Sequence, residues 1–365
     1  MPIPLSPDYA AIARETRCRL TDFRFEDGTQ LPELHVNYAT WGTPRRDPQG
    51  RITNAVLLCH GTAGFWRRFT EAWWAERMFG PGQPLDISRY YVIAPDHLGA
   101  GGSSKPSDGL RMAFPRYTHA DVVQAHYRLL TEHLQIGHLL AVMGPSYGGR
   151  LCWQWAVSYP EFMDGIVPIS ATPYPLVGRR GMQDFLGTEP LLSDPTWNDG
   201  NYREQPRNFP IALMAFWVFV FGNGHLWDVA PTRDRSRTYL PHLVNKLARE
   251  LDANDWIYQL RVNEHYNLID QLQRLRARVL IVEMAGDDMV PPELGYPGQL
   301  LTRLGDRARA VVVSEGAHYG HAGIAKTMPL YSEPIGRFLR SLASAAPGTE
   351  EHGATPALAL PRQLT

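Results

Sequence analysis

The sequence predicts an α/β fold built on a mostly parallel, eight-stranded sheet flanked by helices. Short, near-continuous apolar runs recur along the chain, as in strands covered on both faces. Longer stretches of helical period separate them, and the passages between the two carry turn residues. The 365 residues, 44% of them hydrophobic and 20% charged, are enough to bury a sizeable core and exclude a disordered chain.

The elements follow in order. Arg19–Arg24 and Leu34–Tyr38 form an antiparallel pair across the turn at Asp27-Gly28. Six core strands come next: Ala55–His60, Tyr90–Pro95, Leu139–Met143, Gly165–Ser170, Val279–Met284 and Ala310–Ser314. Helical period covers His119–His133, Gly148–Ser158, Glu293–Leu304 and Ile324–Ala345. From Ala171 to about Arg261 the rhythm stops, and Pro-punctuated helical pieces rich in Trp, Phe and Tyr take over. A block of this kind between two core strands reads as an insertion resting on the sheet. The expected organisation is therefore core over 1–170, helical insertion over 171–261, core again over 262–345, and a tail over 346–365.

Composition narrows the function. Lys+Arg 36 against Asp+Glu 37 leaves a net charge of −1, which argues against nucleic acid or an anionic membrane as partner. The longest apolar stretch, Phe209 to Phe221, is broken by Pro210 and too short to span a bilayer. Neither a signal peptide nor a metal-knuckle or redox spacing of Cys18, Cys59 and Cys152 is visible. The expectation is a cytoplasmic protein with buried reduced thiols, no cofactor and no metal.

The chemistry concentrates at three places. After the Leu139–Met143 run comes Gly144-Pro145-Ser146-Tyr147-Gly148 and a helical segment. This is G-x-S-x-G in the strand–turn–helix setting that exposes a serine nucleophile. After Ala55–His60, the His60-Gly61-Thr62 turn is where one oxyanion donor belongs, so the amides of Thr62 and Tyr147 are the expected pair. His60 itself reads as a brace for that turn. A serine hydroxyl needs a base, and the base an orienting carboxylate, in the order Ser, acid, His. Asp287 is favoured over Asp288 as the acid, because it stands four residues ahead of Pro291. His321 follows a glycine and precedes the last helix, and is favoured over His318 as the base. His318 is instead assigned to the pocket wall.

Collectively these segments resemble an α/β-hydrolase of the homoserine O-acetyltransferase-like group, over nearly all of residues 15–340. The carrying residues are Leu34–Gly42, Asn54–Gly64, Phe79–Asp86, Arg89–Ser104, Phe114–Tyr117, the Ser146 turn and Asp194-Pro195 with Trp197, together with the Asp287 and His321 loops. The resemblance implies the α/β-hydrolase fold, the insertion as a helical lid, and Ser146, Asp287 and His321 as a catalytic triad. Two departures stand out. Acetyltransferases of the group resemble Gly-Gly-Ser-Met at the turn, where this chain has Gly144-Pro145-Ser146-Tyr147. They also carry an arginine for the substrate carboxylate where this chain has Thr188, a substitution that is not neutral. Arg150, Arg179 and Arg180 are the candidate replacements.

The expected activity is hydrolysis of a carboxylic ester, or an amide, of a fairly apolar or aromatic small molecule through an acyl-enzyme. The alternatives are acyl-CoA-dependent O-acyl transfer and a non-catalytic ligand-binding member of the fold. Aromatic density points to Trp66, Phe216 and Trp217 as pocket residues. The same rings suit a homodimer interface.

Overall fold

The computed structural model describes residues 7–344, so the expected tail over 346–365 lies outside the described residues. Strands β1 (Arg14–Arg24) and β2 (Gln30–Trp41) pair antiparallel, with Arg14 opposite Thr40 and Arg24 opposite Gln30. There follow β3 (Ala55–Leu58), α1 (Ala72–Met78), β4 (Tyr91–Pro95), α2 (His119–Arg128), β5 (Leu139–Pro145), α3 (Tyr147–Ser158) and β6 (Met163–Ile169). Helices α4 (Arg179–Leu192), α5 (Phe209–Trp217), α6 (Asn223–Val229), α7 (Arg233–Glu250) and α8 (Ala253–Arg261) occupy the Pro- and aromatic-rich stretch. The sheet then resumes with β7 (Arg278–Met284), α9 (Tyr296–Leu304) and β8 (Ala308–Val313), and α10 (Gly323–Lys326) and α11 (Met328–Ser344) close the described chain.

All eight strands join one sheet in the order β1-β2-β4-β3-β5-β6-β7-β8. From β4 onward every neighbour pair is parallel; β2 meets both β1 and β4 antiparallel. Alternation along each strand fills both faces. Leu57, Val279 and Ile281 belong to one buried cluster, and Val56, Leu58, Leu280 and Val282 to the other.

Three helices end or begin elsewhere than periodicity suggests. The helix from His119 passes at Arg128 into a wide π turn, Leu129–His133. The one expected from Glu293 starts at Tyr296, because Gly295 takes a left-handed conformation (φ 81°). The last is divided at Thr327, whose hydroxyl bonds back to the Gly323 carbonyl at 2.8 Å.

Most rings of the inserted helices serve packing. The Trp197 indole N–H donates to Asn254 and that of Trp256 to the Gly187 carbonyl, while Phe209 is fully buried. Polar bonds tie the same helices to the body. Asp255 accepts from the Ser107 amide and hydroxyl at 2.8 and 2.7 Å, and the Tyr258 hydroxyl reaches the Phe114 carbonyl. Among the described residues, no helix is long and apolar enough to cross a membrane. Cys18, Cys59 and Cys152 are free and buried.

Helix α7 is held differently. Of its 18 residues only Val244 is buried, and its far end is fixed by an ion pair from Arg68 to Glu250 at 2.9 Å. A partly exposed ion pair contributes at most about 1 kcal/mol. Amide hydrogen exchange should therefore be faster along Arg233–Glu250 than along Tyr147–Ser158, and faster still in Arg68→Met. Equal protection of the two helices would contradict this.

Candidate active site

The loops after β3, β5, β7 and β8 carry His60-Gly61-Thr62, Ser146, Asp287 and His321. These strands lie in one parallel run, so their C-terminal ends share an edge of the sheet, where an open α/β sheet presents its crevice.

Ser146 sits between β5 and α3 with φ 55° and ψ −117°, a conformation L-residues seldom adopt. The turn is fixed by the bond from its amide to the Ile169 carbonyl at 2.8 Å. Its glycines are sterically required. A Cβ on Gly144 would lie 2.3 Å from the Cys59 carbonyl oxygen, and one on Gly148 only 1.9 Å away. The serine is thus held up on a backbone crossing that admits no side chain beside it.

The Ser146 hydroxyl lies 2.8 Å from His321 Nε2, and His321 Nδ1 lies 2.6 Å from Asp287 Oδ2. The second oxygen of Asp287 accepts the amides of Met289 at 2.9 Å and Val290 at 3.3 Å, which fixes the carboxylate plane. Asp287 is fully buried and His321 is 6% exposed. Such a chain lets the hydroxyl lose its proton as it attacks a carbonyl, with the carboxylate facing the imidazolium that forms. The His321 loop is clasped by the inserted segment: the Ala322 amide donates to the Val220 carbonyl at 3.0 Å, and that of Gly222 to Tyr319 at 2.7 Å.

The turn after β3 lies against the serine, since a Cβ on Gly61 would stand 3.8 Å from that of Ser146. The Thr62 amide, and the Tyr147 amide at the head of α3, find no acceptor among the described residues. The next amide, Ala63, is taken by Gln259 Oε1 at 3.0 Å, and Gln259 Nε2 holds the Gly99 carbonyl at the same distance. Sequence reasoning missed Gln259, because a glutamine in a helix of the insertion carries no signal of its distant partners.

Beneath the turn, His60 stacks on His97 with ring centroids 3.6 Å apart. His60 Nε2 accepts the His97 amide, so its proton is on Nδ1 and goes to the Gly61 carbonyl at 2.9 Å. His97 Nε2 donates to the His60 carbonyl, leaving Nδ1 to accept from His126 Nε2 at 3.3 Å. Accepting the His97 amide at Nε2 requires a neutral His60, and burial favours the neutral form of the other two rings. Burial lowers His60 to about 4 and His126 to about 3, and holds His97 well below the ordinary range. His60 braces the turn, as its position suggested.

Comparison with known proteins matches this geometry to a family. A model described as the alpha/beta hydrolase fold matches residues 54–216. The homoserine O-acetyltransferase of Haemophilus influenzae (strain 86-028NP) is 30% identical over 315 residues, covering 76% of this chain and 85% of its own length. The chain belongs to the α/β-hydrolases, in their homoserine O-acetyltransferase-like group. The homoserine O-acetyltransferase of Methanosalsum zhilinae is 26% identical over 308 residues, 74% of this chain, and the match spans 61% of that relative's length. Among solved structures, the homoserine O-acetyltransferase from Bacillus anthracis has a TM-score of 0.77 at 23% identity, covering 90% of this chain and 98% of its own. Esterase E22 has a TM-score of 0.78 at 22% identity, covering 90% of this chain and all of its own. At those identities the two structures share the fold, which two different activities have used.

In this α/β-hydrolase a cavity of about 300 Å³ opens onto Gly61, Thr62 and Pro145, the residue before the serine. Trp73 and Trp217 line it, with Leu243 and Leu247 of α7 and the Arg68–Glu71 pair. A larger cleft of about 640 Å³, lined by Arg116, His119, Tyr258 and Tyr266 among others, includes none of the three hydrogen-bonded residues. The two leucines were not singled out from sequence, although they stand at helical spacing.

Of the expected pocket residues, only Trp217 lines the cavity beside the serine. Trp66 is instead 2% exposed in the core, its indole N–H bonded to Glu15 and its amide to Asp96. Phe216 packs edge-on to Trp256, ring centroids 4.9 Å apart, because it lies on the inner side of α5. His318 turns away to Asp228 of α6 at 2.7 Å. Asp288 is exposed and pairs with Arg179 at 2.8 Å, so neither reaches the serine.

Two outcomes follow. His321→Ala and Asp287→Asn should each lower turnover by at least about a thousandfold, while His318→Ala and Asp288→Asn leave it within a few-fold. Steady-state rates on any ester that the wild type turns over check this. The buried histidines add a pH signature. A group with a depressed folded pKa stabilises the fold above its unfolded pKa, and that contribution is lost as pH falls. The stability of wild type relative to His126→Gln should therefore shrink by up to about 1.4 kcal/mol per pH unit below about pH 6.5. Denaturant unfolding from pH 7 to 4 measures it, and a pH-independent difference would contradict the neutral network.

Proposed function

We propose that this chain is a serine acyltransferase of the homoserine O-acetyltransferase type, working through an acyl-enzyme on Ser146. Ser146 Oγ attacks the carbonyl of an acyl-CoA or activated ester as His321 takes its proton, and the oxyanion rests between the Thr62 and Tyr147 amides. His321 returns the proton to the leaving group. An acceptor alcohol then attacks the acyl-enzyme as His321 takes its proton, and His321 passes that proton to Ser146 Oγ as the acyl–serine bond breaks. Asp287 orients the imidazole and stabilises its charged form. The observation that carries this reading is the Ser146–His321–Asp287 chain facing two amides without acceptors. Preference for an alcohol acceptor is supported by the acetyltransferase relative at 30% identity over most of its length.

Ester hydrolysis is the second reading, and one observation favours it. Thr188, at the place of the expected carboxylate-binding arginine, turns its hydroxyl into its own helix, bonding the Asp184 carbonyl at 3.0 Å. With no guanidinium there, an amino-acid acceptor loses its clamp, and water or a less polar alcohol competes better. The cavity between Trp73, Trp217 and the two leucines suits a small apolar acyl group under either reading.

Incubation with acetyl-CoA and a panel of alcohols, L-homoserine included, separates the readings by the ratio of O-acyl product to free acid. Transfer should exceed hydrolysis with at least one alcohol, and both should vanish in Ser146→Ala. Hydrolysis of aryl esters with no transfer to any alcohol would establish the second reading. Failure of a fluorophosphonate probe to label the folded wild type would reject both.

A further inference from the structure

A charge imbalance lies buried one turn beyond Ser146. Arg150 of α3 is 1% exposed and Arg180 of α4 is 2% exposed. Arg180 pairs through Nη1 with Asp184, and Asp184 Oδ2 also accepts from Asn263 Nδ2 at 3.2 Å. Arg150 has no carboxylate partner of its own. Its Nε and Nη2, like Nε of Arg180, find no acceptor among the described residues. The groups acting on Arg150 are Arg180, Asp184, Tyr266 and Tyr147, with the Tyr147 ring centroid 5.4 Å from its guanidinium. His119, also nearby, is held neutral by burial and by Arg150. Two guanidiniums thus share one carboxylate.

A guanidinium cannot shed its charge by losing a proton. An unpaired buried charge is far costlier than an unpaired buried dipole. Ordered water would satisfy the free N–H groups but would leave one positive charge uncompensated. We propose that Arg150 and Arg180 together bind one small monoanion, of halide or formate size, enclosed between α3 and α4. Neither arginine lines the cavity beside Ser146 or the larger cleft, so the occupant is a free ion and not a substrate group held on the serine. The site is independent of the choice between transfer and hydrolysis.

Thermal unfolding tests it, with sodium gluconate replaced stepwise by chloride, bromide or formate at constant ionic strength. Gluconate is too large to enter. The wild type should gain a saturable rise of about 2–4 °C with at least one of the small anions. The halide and formate midpoints show which of the two is preferred. Arg150→Met should abolish the rise. Asp184→Asn, which removes the one carboxylate, should lower the midpoint concentration several-fold. Anomalous diffraction from wild-type crystals grown in bromide needs no variant, and should place a peak between the two guanidiniums. Identical melting in gluconate and every small anion, an undiminished rise in Arg150→Met, or bromide peaks confined to the surface would each overturn the proposal.

Discussion

The contact on which the site depends is the crossing of β3 over the start of α3. The Cys59 carbonyl oxygen occupies the volume a side chain on Gly144 or Gly148 would need. Two backbones can approach that closely only where both glycines stand. Once they do, the turn between β5 and α3 has no freedom left, and Ser146 is lifted into a left-handed conformation with its hydroxyl outward. The same approach brings the Gly61-Thr62 turn beside the serine, so a single packing constraint sets both Ser146 and the turn next to it.

The inserted helices complete this arrangement through polar bonds to the loops. Gln259 spans from the Ala63 amide to the Gly99 carbonyl, and Val220 and Gly222 clasp the chain on either side of His321. A buried polar group that has found its partner resists displacement, because parting leaves both unsatisfied. The insertion therefore both shapes the cavity and holds the His321 loop. Its helix α7, with one buried residue, is the most loosely held wall of that cavity.

Burial separates the histidines of the chain by role. His60, His97 and His126 are enclosed without a carboxylate partner, so desolvation keeps them neutral and available as matched donors and acceptors. His321 has Asp287 on one nitrogen and the serine on the other. His318, three residues earlier, faces an exposed aspartate instead. Identity of the residue type decides little here; the partner within hydrogen-bond reach decides the chemistry.

The sequence by itself determined the α/β class, the parallel strands and the order serine, acid, histidine. Apolar runs, glycine spacing and chain order are local properties, and they survive without knowledge of the fold. It also singled out Asp287 and His321 over their neighbours, which the Arg179–Asp288 and Asp228–His318 pairs draw away. Only the tertiary structure decided which aromatic rings face the cavity. Trp66 and Phe216 are as aromatic as Trp217, but strand and helix packing turned them into the core. It alone also brought Gln259 to Ala63 and Arg150 to Arg180, across 196 residues in the first case. Such partners are set by how the insertion folds back over the sheet, and no periodicity along the chain encodes a contact of that range.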